Sequence, residues 1–335
     1  MKIAQFDTDK EVFIVAEIGN NHEGDFTLAQ DLVGYAAKAG VNAVKFQTII
    51  PEEFITSTDV ERLKKLRKFQ LSYPQFKSLA QLARDLGVIF FSTPFDLKSA
   101  KFLNEIQPIF KVSSGDNTFI PLINQIANYN KPTLISTGLA DMLQIDKIYE
   151  TWQKKGRLCD LAFLHCVSCY PTPLNEANLN AILALKARYP ELVIGYSDHT
   201  LGIEAAKLSV AVGARIIEKH FTLNKNYSDF RDHQLSANPK EMKQLVQMIR
   251  EVESALGTGI KTAQPCESDL RIAARRSIAA SCDIPVGTQL TINNITWLRP
   301  GEGIAVGDEQ LVIGRFVIRE LKKGELITLE KLSST

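Results

Sequence analysis

His199 and His220 are the residues whose type and position most clearly suggest chemistry. Each closes a short apolar run, Val193-Ile-Gly-Tyr-Ser-Asp-His199 for the first and Ile216-Ile-Glu-Lys-His220 for the second. If these runs are neighbouring parallel strands, the imidazoles arrive side by side at the carboxyl ends, where barrels of such strands build their sites. Two neutral imidazoles there suit a divalent cation that keeps open coordination places. A lone histidine is more often a helix cap or a packed core residue. Two of the chain's five histidines in matched positions favour a metal pair.

Other apolar runs also end in polar residues. Lys45 and Gln47 close one, Thr93 another, Lys111 and Ser114 a third, Ser136 a fourth, and the segment His165–Tyr170 a fifth. Lys45 and Lys111 finish apolar runs where a solvated surface lysine would be out of place. With Thr93, Ser114, Ser136 and Ser197 they make a phosphate cradle. Each Ser or Thr alone could be a turn or N-cap residue. Taken together, they indicate a small phosphorylated substrate beside a metal. Cys166 and Cys169 form a CxxC pair without the second pair that a zinc site needs, so both are expected as buried or site-lining thiols.

The elements that must position these residues follow from the rhythm of the chain. Apolar, β-branched runs at Phe13–Ala16, Ala43–Phe46, Ile89–Phe91, Ile109–Val112, Thr133–Ile135, Leu161–Leu164, Val193–Gly195 and Ile216–Glu218 alternate with amphipathic stretches. Eight strand-helix units in a stretch of this length predict a (β/α)8 TIM barrel. An open doubly wound sheet is the alternative, but it confines its ligand residues to one switch point. Asn238-Pro239 predicts the start of the last barrel helix, through Leu256. The expected division is a catalytic barrel over 1–260, a linker over 261–275 and a small, mostly β domain over 276–335. That last module has a thin core, so it is expected to lean on the barrel or on another subunit.

The 335 residues carry 39 basic and 38 acidic side chains, a formal net charge of +1. That balance argues against nucleic acid or a membrane surface as the main partner. No signal-peptide core or membrane-length apolar run is present, and five cysteines read as reduced thiols, so a cytoplasmic location is expected.

Ala16-Glu-Ile-Gly-Asn-Asn-His-Glu-Gly24, Val44-Lys-Phe-Gln-Thr48, Phe91-Ser-Thr-Pro-Phe95, Lys111-Val-Ser-Ser-Gly115, Tyr170-Pro-Thr-Pro173, Tyr196-Ser-Asp-His-Thr200 and Glu218-Lys-His-Phe-Thr222 together resemble the sialic acid synthase family. The tail, with Leu298-Arg-Pro-Gly-Glu-Gly303, is similar to the antifreeze-like SAF domain that ends those enzymes. The resemblance implies condensation of phosphoenolpyruvate with an open-chain N-acylated amino sugar, such as N-acetylmannosamine, to give a nonulosonic acid and phosphate. It implies His199 and His220 as ligands of manganese, with magnesium or cobalt as alternatives. It assigns phosphoenolpyruvate to Lys45, Thr93, Lys111, Ser114, Ser136 and Ser197. It assigns the sugar to Gln47, Asp116, Ser168, Tyr170 and Asp232. Glu23 is implied as the acidic residue that positions or deprotonates water. Arg299 is implied to meet the N-acyl group of a sugar bound by the other subunit of a domain-swapped homodimer.

Asp116 and Ser168 depart from a common N-acetylneuraminate synthase pattern, which has Glu and Asn there. Synthases of legionaminic or pseudaminic acid, and enzymes taking a 6-phosphorylated sugar, share the same chemistry and are the alternatives. A metal-dependent barrel hydrolase is disfavoured, because no His-x-His occurs among the five histidines. A binding protein without catalysis would not need the polar residues at nearly every strand end.

Overall fold

The computed structural model describes residues 1–334. They form two compact units, one over Met1–Gly257 and one from Thr258 onward. The first is built on eight strands: β1 (Phe13–Gly19), β2 (Ala43–Thr48), β3 (Ile89–Pro94), β4 (Phe110–Val112), β5 (Thr133–Ser136), β6 (Leu161–Cys166), β7 (Val193–Asp198) and β8 (Ile216–His220). All are parallel, in the order β3-β2-β1-β8-β7-β6-β5-β4. β3 and β4, at the ends of that order, pack against each other and close the sheet into a barrel. At this seam the Ser92 N–H donates to Gln107 Oε1 at 2.7 Å, so a side chain replaces a ladder partner.

Strand alternation divides the core in two. Phe13, Val15, Ala43, Ile89, Phe91, Leu134, Leu164 and Ile216 face inward and fill the barrel. Ile14, Ala16, Val44, Phe46, Ile194, Tyr196 and Ile217 face outward, under the helices. The inner layer leaves no room at Gly195, where a Cβ would lie 2.4 Å from Leu164 Cδ2 and 2.5 Å from the Ile216 carbonyl. The surrounding helices are α1 (Phe26–Ala39), α2 (Val60–Phe69), α3 (Tyr73–Asp85), α4 (Leu97–Ile106), α5 (Ile120–Asn128), α6 (Met142–Lys154), α7 (Asn180–Arg188), α8 (Glu204–Ala211) and α9 (Pro239–Leu256). α9 starts as its sequence predicts, with Pro239 in the first turn and a reciprocal capping box between Asn238 and Glu241.

Several strands run further than their apolar stretches. β7 continues past Gly195 to Asp198, and β8 continues past Glu218 to His220. The added residues are polar but buried, so hydrophobicity marks only the lower part of each strand. A hairpin of Lys2–Ile3 and Phe6–Asp7 precedes the barrel, with Ile3 in the inner cluster and Phe6 against Phe13 at 5.0 Å between ring centroids.

The second unit is described by itself. Strands β9 (Ser277–Ala280) and β10 (Ile295–Leu298) pair antiparallel, and isolated bridges join further short segments. Its core holds Ile278, Ile284, Leu290, Ile295, Val312, Val317, Leu321 and Ile327. Part of the stretch expected as a plain linker is ordered here, as a turn at Pro265–Glu267 and a helix α10 (Ser268–Ala274). The Arg299-Pro300-Gly301 turn is anchored by Gly301 N–H to Ile272 O at 2.8 Å and by Ser277 Oγ to Pro300 O at 2.8 Å.

Candidate active site

Inward-facing residues at the carboxyl ends of the strands line a cavity of about 870 Å³. Its floor is a cluster of four charges. Lys45 Nζ, from β2, lies 2.8 Å from Glu17 Oε2 and 3.6 Å from Glu218 Oε2, and donates to Thr93 Oγ1 at 3.1 Å. Lys111 Nζ, from β4, lies 3.7 Å from Glu218 Oε1. Glu218 also accepts from Ser197 Oγ at 2.9 Å, and Glu17 accepts from Gln47 Nε2 at 3.2 Å. None of the four charged residues is more than 4 % exposed.

Burial and pairing act differently on each of these groups. Burial pushes the Glu17 carboxyl up to about 7, against the pull of Lys45 and with the repulsion of Glu218. Burial also opposes charge on Glu218, but Lys111 and Lys45 outweigh it and hold that carboxylate below its usual range. Lys45 resists desolvation because Glu17 and Glu218 flank it, and its pKa is raised. Lys111 is less well paired, and burial lowers its pKa. The floor thus contains one firmly ionised carboxylate and one that exchanges its proton near neutrality.

Beside Lys111, hydroxyl groups converge on Gly138. Ser114 Oγ accepts from the Gly138 N–H at 3.1 Å. A Cβ at Gly138 would meet Ser168 Oγ at 2.4 Å and Ser114 Oγ at 2.7 Å. The Ser136 and Ser168 hydroxyls are buried and have no hydrogen-bond partner. Two such groups lining a cavity next to a lysine call for a ligand with acceptor oxygens. Ser168, expected on the sugar side, therefore sits with Ser114 in this hydroxyl cluster.

His199 and His220 are brought together, with ring centroids 5.4 Å apart. His199 Nδ1 lies 2.8 Å from the Val167 carbonyl, which fixes the ring and leaves Nε2 as the free lone pair. His220 Nδ1 is buried without a partner, and burial, together with nearby positive charge that includes Lys45, holds His220 neutral. Tyr170 covers His199 at 4.1 Å, and the Arg231 guanidinium covers Tyr170 at 4.5 Å. Among the described residues, no set of three or more His, Cys, Asp or Glu side chains is arranged to hold a metal ion. The pair therefore suits a cation with two protein ligands and the remaining places open, and the orphaned Nδ1 fits that demand.

The remaining predicted residues divide. Asp232 lines the cavity, and burial raises its pKa. Asp116 is not among the lining residues, although its neighbours Ser113, Ser114 and Gly115 are; its carboxylate accepts from Ser113 Oγ at 2.7 Å. Glu23 sits apart from this group. Its carboxylate is held by the Ser228 hydroxyl and by His233 Nε2 at 3.2 Å, and it does not line the cavity. Glu17, six positions earlier on β1, lines the cavity. The reason is alternation: Glu17 points inward from a strand, while Glu23 follows the strand in a turn with φ of 46°. Arg299 is exposed in the second unit. Cys166 is buried and lines the cavity as expected, whereas Cys169 is exposed and does not. Glu17, Glu218 and Arg231 are not singled out by the sequence; the first two are detectable as charges inside otherwise apolar strands.

Comparison with known proteins places this geometry in a family. The NeuB family pattern matches residues 32–261, and the SAF domain pattern matches residues 275–333. The N,N'-diacetyllegionaminic acid synthase of Campylobacter jejuni is 38% identical, covering 95% of this chain and 99% of the relative. The pseudaminic acid synthase of the same species is 34% identical, covering 98% of each. The crystal structure of the N-acetylneuraminic acid synthetase from Leptospira borgpetersenii, in complex with citrate, is 35% identical and superposes with a TM-score of 0.76, covering 81% of this chain and 94% of that one.

Proposed function

The chain belongs to the NeuB family, and on that premise we propose that it condenses phosphoenolpyruvate with the open-chain aldehyde of an N-acylated amino sugar, releasing phosphate and a nonulosonic acid. One observation carries this reading: a single cavity joins an anion cradle, an imidazole pair and the buried carboxyl of Glu17. Lys45 and Lys111 hold the phosphate and carboxylate of phosphoenolpyruvate, with the free hydroxyls of Ser136 and Ser168 supplying donors. Thr93 accepts from Lys45, Ser197 donates to Glu218, and Ser114 accepts from the Gly138 N–H beside the cradle. Gln47, Tyr170 and Asp232 form the wall toward the sugar. His199 and His220 would hold a divalent cation, most suitably manganese, which when bound supplies Lewis acidity at the aldehyde oxygen.

The enol carbon forms the new C–C bond, and the cationic C2 that results takes up water. Glu17 accepts the proton that this water sheds, and it can return a proton as the tetrahedral hemiketal phosphate breaks its C–O bond. Lys45 and Lys111 stabilise the charge on the departing phosphate. A second copy of the chain would bring its Arg299 to the N-acyl group in a domain-swapped homodimer. No helix among the described residues is long and apolar enough to cross a membrane, and a small-molecule biosynthetic role in the cytoplasm accords with that.

The test uses phosphoenolpyruvate carrying ¹⁸O at the bridging oxygen and a panel of acceptors: N-acetylmannosamine, its 6-phosphate and 2,4-diacetamido sugars. The reading expects acceptor-dependent phosphate release with the label in phosphate. Label retained in the keto acid would mean P–O cleavage and overturn it. The acceptor giving the highest kcat/KM identifies the sugar.

A further inference from the structure

On the outer face of β7 and β8, back to back with the imidazole pair, lies a second buried ion pair that the reaction does not use. Lys219 Nζ contacts Asp198 Oδ2 at 2.9 Å, and both side chains are 0 % exposed. The two residues are direct register partners across the β7–β8 ladder. Each stands one position before an inward-facing histidine. Their remaining bonds go mostly to backbone. Lys219 Nζ donates to the Thr200 carbonyl at 2.6 Å, while Asp198 Oδ1 accepts from the Thr200 N–H at 2.8 Å and from Tyr196 Oη at 3.2 Å. Thr200 follows His199, so the chain leaving that histidine is gripped at both its N–H and its carbonyl. The His199 carbonyl is held in turn by the Thr172 N–H at 2.9 Å.

An ion pair wholly under the helices is a poor source of stability, since desolvation offsets most of the attraction. What it can supply is geometry. We propose that Asp198 and Lys219 are positioning residues that lock His199 and His220 at one separation, so that the two imidazoles act as a preformed pair toward a divalent cation. Lys219 is bonded covalently to His220 and electrostatically to the backbone that carries His199. A shift of one histidine relative to the other must break this unit. The inference rests on the proposed metal role of the imidazoles.

The test compares the parent chain with Asp198→Leu/Lys219→Met, which removes both charges together and so leaves neither unpaired. Should that pair pack badly, Asp198→Asn/Lys219→Gln serves the same purpose. Mn(II) alone is titrated, with free Mn(II) followed by its paramagnetic resonance signal, and phosphoenolpyruvate binding is measured by calorimetry without metal. The expected result is a folded double variant with phosphoenolpyruvate affinity close to the parent's and Mn(II) affinity about 10- to 100-fold weaker, the usual size of an outer-shell effect. Lys219→Arg keeps the pair and should bind Mn(II) nearly as the parent does. Parent-like Mn(II) affinity in a folded double variant overturns the positioning role alone. A parent chain that binds no Mn(II) overturns the metal reading and the positioning role with it.

Discussion

The inner and outer faces of β7 and β8 carry similar residue types and use them in opposite ways. Inside, His220 Nδ1 and, on the neighbouring wall of the barrel, Ser136 Oγ and Ser168 Oγ are buried without hydrogen-bond partners. Outside, Asp198 and Lys219 bond to each other and to the neighbouring Thr200 backbone. Buried polar atoms left open are costly unless something else completes them. The inner set is therefore arranged for a ligand, and the outer set for the strands. The same contrast separates two carboxylates near β1, since Glu17 faces the cavity and Glu23 is held by Ser228 and His233.

The largest effect should come from the inner imidazoles. His199→Ala or His220→Ala should lower kcat by about 1000-fold or more, because a Lewis-acidic metal contributes several kcal/mol to the barrier. Chelation of the parent should do the same, and manganese should restore it. Full turnover in excess chelator would remove the metal from the mechanism.

Glu17→Gln comes next. Loss of a positioned acid-base group costs roughly 100- to 10,000-fold. The variant should also lose any ionisation near pH 7 that the parent shows in kcat/KM. Stability supplies an independent readout. Glu17 is raised from 4.5 to about 7 in the folded chain, so between those values the native state binds a proton that the unfolded state has released. The parent should lose stability as pH rises through that window, and Glu17→Gln should lose less. Equal slopes in denaturant titrations at several pH values would count against the shift.

Lys111→Ala should act on phosphoenolpyruvate. A charge-assisted contact in a desolvated site is worth about 1.5–3 kcal/mol, which is roughly 10- to 150-fold in kcat/KM. A defect confined to the sugar would reassign Lys111.

Much of this contrast was legible in the chain. His199, His220, Lys45 and Lys111 stood out because each is titratable at the end of an apolar run, and period-two alternation then fixed which face they share. The barrel itself followed from counting those runs. What hydrophobicity could not supply was the upper part of each strand, where Ser197, Asp198, Glu218 and Lys219 are buried but polar. For that reason the Asp198–Lys219 pair emerges only from three-dimensional contacts. α2 gives a weak sequence signal for a related reason, since only Leu63 and Phe69 of its ten residues are buried. A motif gives the order of residues but not their direction, so it does not show that Glu23 turns toward Ser228 and His233. Its neighbour Gly24, at φ of 88°, lies in the same turn.

The smallest effect is expected at Glu23, and it bears most directly on the pairing of Glu17 with Glu23. Glu23→Gln keeps an oxygen that can accept from the Ser228 hydroxyl, so the loop from β1 should stay attached to the loop that follows β8. Burial lowers the pKa of His233, so its contact with Glu23 is largely a neutral hydrogen bond at pH 7 rather than an ion pair. Replacing the carboxylate with an amide therefore removes little. The melting temperature should move by only a few degrees, on the order of 1 kcal/mol in a domain of this size, and kcat should stay within a few-fold of the parent. The informative measurement is the ratio of the two variants: Glu17→Gln should be at least about 100 times slower than Glu23→Gln under the same conditions. If Glu23→Gln is the slower enzyme while its fold and phosphoenolpyruvate affinity are intact, Glu23 must swing into the cavity during turnover, and the proton-transfer role passes from Glu17 to it.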